Sequence, residues 1–162
     1  VFESEKNVPI GGIVEICAAG LDLVRRLSDR VVLHSGVVLI IDYGYYHNAV
    51  GDTLQAVKNH LYCDTLTSPG DSDLTAHVDF GAQADTAQIL GARVYGPVQQ
   101  GQFLDSLGVR TRADVLSDGA TPAQVVSIET ALARLTAPEA MGSLFKVMAL
   151  SSPQMEPPLG FA

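Results

Sequence analysis

Val37-Val38-Leu39-Ile40-Ile41 is an unbroken aliphatic run that stops abruptly at Asp42-Tyr43-Gly44. An apolar run without alternation predicts a strand buried on both faces, as in the middle of a parallel sheet. The β-branched and aliphatic side chains favour a strand over a helix of the same length. Ahead of it, Leu21, Val24 and Leu27 fall on one stripe while Asp22, Arg25 and Asp29 fall elsewhere, which predicts a helix over about 18–30. Ser35-Gly36 separates that helix from the strand, and helix, turn and strand make the second half of a βαβ unit. Residues 1–16 carry only weak signals, because Pro9 and Gly11-Gly12 interrupt any regular element.

The pattern changes after Gly44. Residues 45–79 are polar and read as one long connection, which in a compact domain is usually functional. Within it, Asp73, Thr75, His77 and Asp79 alternate with Leu74, Ala76, Val78 and Phe80. If extended, that segment would bury one face and present four polar groups on the other. A helix is predicted from Phe80, capped by Asp79 and closed by Gly91. Residues 92–95 read as a short strand stopped by Gly96-Pro97.

Three short helices follow. The first spans about 101–107 and stops at Gly108; Thr111, with Asp114 three residues on, is read as the cap of the second, which Gly119 closes. Thr121-Pro122-Ala123-Gln124 combines a capping box with proline at the first helical position, and Val125, Ile128, Leu132 and Leu135 give that third helix its inward face, up to Pro138. Residues 144–150 form an apolar strand with one lysine. Residues 1–152 are read as part of one domain, and the proline-rich segment 153–162 as a loose tail.

Composition narrows the function classes. A 162-residue chain with 47% hydrophobic and 17% charged residues fits one folded domain with a real core. A formal charge of −8 argues against nucleic-acid binding, which needs a basic face. No stretch approaches the ~18 apolar residues of a membrane helix. Cys17 and Cys63 have neither metal-ligand nor redox spacing and are read as reduced. Val1-Phe2-Glu3 reads as the interior of a longer chain.

Candidate chemistry is sparse. There is no Gly-x-Gly among the 15 glycines, no His-Glu-x-x-His or paired Cys-x-x-Cys for a metal, and no Gly-x-Ser-x-Gly elbow. Ligands of open α/β sheets bind at the carboxyl ends of strands, so Asp42 either meets a ligand or caps the turn that follows. Tyr43 either lines a pocket or packs with its hydroxyl satisfied. Gly51-Asp52-Thr53 reads as a turn with a capping carboxylate or as part of the site, and His77 as a proton acceptor or a satisfied loop residue. These residues alone define an α/β domain with an acidic cleft.

Three ordered blocks go further: Leu39-Ile40-Ile41-Asp42-Tyr43-Gly44 with Gly51-Asp52-Thr53-Leu54-Gln55-Ala56, then residues 73–80, then Met141-Gly142-Ser143-Leu144-Phe145-Lys146-Val147. Together they resemble the carboxyl-terminal half of the MidA family from about residue 14 onward. That family comprises class I S-adenosylmethionine-dependent methyltransferases, whose mitochondrial members methylate an arginine of a respiratory complex I subunit during assembly. The resemblance implies a Rossmann-like α/β fold of which this chain supplies strands five, seven and six, the last one antiparallel, with an added helical excursion. The family's glycine-rich cofactor loop precedes the part seen here, so the missing amino-terminal half of the same domain is an implied partner.

It also implies a site. Asp42, Asp52 and Asp79 would be catalytic carboxylates, and Tyr43, Gly44, Thr53, Asp73, Thr75 and His77 would meet the substrate, a protein arginine. The cofactor would be S-adenosyl-L-methionine, and the location cytoplasmic in a bacterium or mitochondrial in a eukaryote. Two rivals remain: a non-catalytic acidic module that keeps the fold for docking, and a methyltransferase for small molecules on the same fold.

Overall fold

A computed structural model describes residues 8–47, 50–67 and 69–161. The opening Val1-Phe2-Glu3 lies outside the described residues. Helix α1 spans Ala18–His34, longer than its apolar stripe suggested, and Cys17 caps it by accepting from the Gly20 amide at 3.4 Å. Ser35 and Gly36, at φ 59° and 136°, turn the chain into strand β1, Val37–Tyr45.

Three strands (β2, Gln55–Lys58; β3, Leu61–Cys63; β4, Asp73–Thr75) form a small antiparallel sheet with β2 in the centre. They lie within the segment read as irregular. Asn59 and His60, at φ 51° and 63°, make the tight left-handed connection between β2 and β3. The alternation over residues 73–80 is broken, because β4 ends at Thr75 and the two-residue strand β5, Val78–Asp79, joins a different sheet.

Helix α2, Phe80–Ile89, begins where expected: Asp79 Oδ1 accepts from the Ala82 amide at 2.9 Å. Gly91 at φ 84° ends it, with the Gly91 amide donating to Gln88 O and the Ala92 amide to Ala87 O. These two bonds satisfy carbonyls that a helix end otherwise leaves orphaned. Strand β6, Arg93–Gln99, continues past Gly96-Pro97 rather than stopping there. A register shift between Tyr95 and Val98 takes the proline, which has no amide to give to the ladder.

Helices α3 (Gln100–Ser106), α4 (Val109–Ser117) and α5 (Pro122–Thr136) form the excursion. The box at Thr121 and Gln124 is present, with proline at the first position. Helix α4 starts before Thr111: Gly108 ends α3 and at once opens α4, accepting from the Arg112 amide. The α5 face of Val125, Ile128 and Leu132 is half-buried, and Leu135 is exposed. A π-helical turn, Pro138–Gly142, leads into strand β7, Phe145–Ser151.

The main sheet has the order β5-β1-β7-β6. Strand β7 runs antiparallel to both β1 and β6 and separates them, with Val37 opposite Ser151 and Tyr43 opposite Phe145. Helices α1 and α2 cover one face, where Val24, Val31, Phe80, Met148 and Leu150 form the core with Val38 and Ile40. The other face of β1 is not covered as its sequence suggested: Val37, Leu39 and Ile41 are 43%, 48% and 46% exposed. No described layer lies over them, whereas β7 beside them is buried from Lys146 to Ser151.

The tail is not loose over its described part. Phe161 lies 5.1 Å from the Phe103 ring and 6.3 Å from Tyr95, and Ser106 donates its hydroxyl to Gly160 O at 3.2 Å. Apolar side chains among the prolines supply the anchorage that the proline count concealed.

Candidate active site at the carboxyl end of β1

Side chains alternate across a strand, so the expected site residues on β1 divide between two faces. Asp42 and Gly44 share the helix-covered face of Val38 and Ile40. Tyr43 and Tyr45 share the open face of Leu39 and Ile41.

On the open side, the Tyr43 ring meets His77 edge-on at 5.7 Å and Phe145 at 5.5 Å. The His77 amide donates to the Thr53 hydroxyl at 2.9 Å. That hydroxyl donates in turn to Glu15 Oε2, and the Thr53 amide donates to Glu15 Oε1 at 3.0 Å. Glu15 therefore ties the segment before α1 to the turn before β2 and, through Thr53, to the segment before β5. Glu15 escaped the sequence reading because it lies 38 residues from Thr53, in a stretch without a regular element.

Tyr45 and Asp79 are Cα partners where β1 and β5 pair in parallel. Burial pushes the Asp79 carboxyl above the usual carboxylate range; the Ala82 and Gly81 amides oppose this, Asp85 adds to it and His47 reduces it. Burial also raises the Tyr45 phenol, with the charges of Asp79 and Glu15 adding to the effect. Two carboxylates thus act on one phenol at the end of the strand.

On the covered side, Asp42 Oδ1 accepts from the Tyr43 amide at 2.8 Å, a bond within β1 and not the cap of a following turn, because the strand runs on to Tyr45. Its cross-strand partner is Lys146, which is only 7% exposed. The Lys146 ammonium donates to Ser143 O at 2.5 Å and Leu144 O at 3.1 Å, and sits 5.1 Å from the Tyr46 ring centroid. Burial holds this amine below its ordinary value. Burial also raises the Tyr46 phenol, opposed by a hydrogen bond with the Gln99 side chain.

The remaining expected residues are placed elsewhere. Gly44 is buried, and a Cβ there would stand 2.1 Å from Val78 O, so it serves the approach of β5 to β1. Asp52 is exposed and accepts from the Leu54 amide at 3.2 Å. Asp73 and Thr75 lie on β4, opposite Val57 and Gln55. The structure thus gathers Tyr43, Thr53, His77 and Asp79 with Glu15 and Tyr45, and leaves Asp42, Asp52 and Asp73 apart.

A terminal strand inserted antiparallel between two others, with polar groups converging at the carboxyl end of β1, defines the carboxyl-terminal part of a class I methyltransferase sheet. Residues 2–98 match a family described as S-adenosyl-L-methionine-dependent methyltransferases, and the chain belongs to that family. A mitochondrial protein arginine methyltransferase NDUFAF7 homolog of Drosophila melanogaster is 37% identical over 128 residues, covering 78% of this chain and 29% of that protein. The mitochondrial protein arginine methyltransferase NDUFAF7 of Rattus norvegicus is 37% identical over 138 residues, covering 85% and 31%. A crystal structure of a Burkholderia thailandensis COG1565 superfamily member, bound to S-adenosyl-homocysteine, superimposes with a TM-score of 0.72 at 29% identity, covering 86% of this chain and 37% of that one. The chain therefore spans about a third of the length of the relatives it matches.

Proposed function

We propose that this chain forms the substrate side of an S-adenosyl-L-methionine-dependent methyltransferase that modifies an arginine of a protein. The observation that carries the reading is the convergence of Asp79, Glu15 and Tyr45 at the end of β1, beside an uncovered apolar face. A guanidinium is always cationic, so its methylation needs carboxylates to hold it and to take a proton as the new bond forms. A carboxyl raised by burial, as at Asp79, is the better proton acceptor of such a set. The fly and rat relatives are protein arginine methyltransferases, which supports this assignment.

The residues described here do not fit a cofactor grip. No Gly-x-Gly occurs in the sequence, and the amino ends of α1 and α2 are capped by Cys17 and Asp79. S-adenosyl-L-methionine would be held by sequence upstream, which would also cover Val37, Leu39 and Ile41. A respiratory complex I subunit as the acceptor, and a mitochondrial setting, are finer proposals that rest on the family resemblance and on the mitochondrial relatives.

Calorimetric titration of S-adenosyl-L-methionine into this chain and into an upstream-extended form tests the division of labour. Binding to the extended form alone is the expected result. Binding to neither would leave the acidic docking module as the better reading. Mass spectrometry of arginine peptides after incubation with the extended form and cofactor tests the acceptor.

A further inference from the structure

The small sheet β3-β2-β4 has two outer strands, each with one ladder among the described residues. The β4 strand is three residues long and, among the described residues, pairs with β2 alone. Two residues beyond it, the His77 amide is fixed on Thr53, and two residues further Asp79 faces Tyr45. An open backbone edge therefore leads directly to the carboxylates of the site. An extended segment laid along it would satisfy groups that β4 now presents outward.

The chemistry of the edge selects its occupant. Between residues 46 and 79 the sequence has five aspartates and a single Lys or Arg, Lys58. That lysine is engaged by Asp71 at 3.2 Å. Asp73 on β4 makes no ion pair among the described residues, and Leu74 beside it is exposed. Edge strands are commonly protected by an outward lysine or a proline, and β4 has neither. The outer strand β3 is the weaker candidate: Leu61 and Tyr62 are exposed there, but β2 separates it from β4 and so from the segment that leads to β5.

We propose that the outer edge of β4 binds the substrate protein as an added strand, an extended basic segment whose arginine reaches the Asp79–Tyr45 end of β1. This rests on the arginine reading above and supplies its docking element. Backbone pairing gives sequence-tolerant affinity, while the acidic surroundings favour a cationic segment and reject an acidic one.

The test uses the complete protein and a short peptide of alternating lysine and threonine around one central arginine. Backbone N-methylation is introduced at every second amide, in one register and then in the other. One register should raise KM roughly tenfold, the loss of about 1.4 kcal/mol of pairing, while the other is tolerated. Asp73→Lys should raise KM for the unmodified peptide by a similar factor and flatten its salt dependence. If the unmodified peptide is methylated at arginine but both N-methylated series behave alike, the edge is not the docking element and the arginine reading stands. If no arginine methylation occurs, that reading falls and the docking proposal falls with it.

Discussion

Asp79 caps helix α2 through the Ala82 amide while it faces Tyr45 across the β1–β5 pair. Asparagine caps a helix as well as aspartate, so Asp79→Asn separates the two roles. Asp79→Ala should cost about 1 kcal/mol of stability through the lost cap, whereas Asp79→Asn should cost less and still abolish methyl transfer. The folded carboxyl lies above its ordinary value of 3.8. Its contribution to stability is therefore full below the unfolded value and is lost as pH rises through the higher folded one. Thermal unfolding across the acidic range should show that decline in the wild type and not in Asp79→Asn. Lys146 has the opposite linkage: its folded value lies below 10.5, so stability rises with pH as the amine loses its proton in the fold. Lys146→Met keeps the apolar stem and should change stability at neutral pH by no more than about 1.5 kcal/mol. It should also remove the alkaline rise, as denaturant titrations at neutral and high pH would show.

At the scale of elements, Gly44 sets how closely β5 can lie on β1. Gly44→Ala would force Val78 and the adjacent Asp79 outward, costing about 1–3 kcal/mol by overpacking. In the complete protein it should lower transfer while leaving cofactor affinity intact, which paired activity and calorimetric measurements would reveal. Elements with strong local punctuation were legible in the sequence: α2 between Asp79 and Gly91, and α5 behind Thr121-Pro122. The small sheet was not, because its strands are three or four residues long and Asn59-His60 turns without a glycine. Helix α4 was misplaced because one glycine, Gly108, serves two helices. Of the site, the β1 terminus and the Asp79 cap could be read from pattern. The Glu15–Thr53 bond could not, since only the fold brings those segments together.

For the whole molecule, the exposed row of Val37, Leu39 and Ile41 is the largest departure from the expected doubly buried strand. An aliphatic run of that kind suits a face that another layer covers, and relatives about three times as long have the sequence to provide one. Leu39→Lys makes the point testable, because its sign depends on context. In this chain alone it should reduce self-association and leave the melting temperature nearly unchanged. In the complete protein it should bury a charge and destabilise the fold by several kcal/mol. Sedimentation of the first and thermal unfolding of the second would check both; a neutral result in the complete protein would mean that this face stays in water.

Strand β7 lies between β1 and β6, although it follows both in the sequence. During synthesis, β1 and β6 would leave the ribosome before the strand that joins them, with more than forty residues still to follow β6 before β7 is complete. Each would have an open edge in that interval and a matching edge on the other, so the nascent chain must be kept from closing the sheet one strand short. A stop codon ahead of Phe145 would remove the centre of the sheet and not its margin. Such a product should be cleared by proteases rather than accumulate as a shortened enzyme.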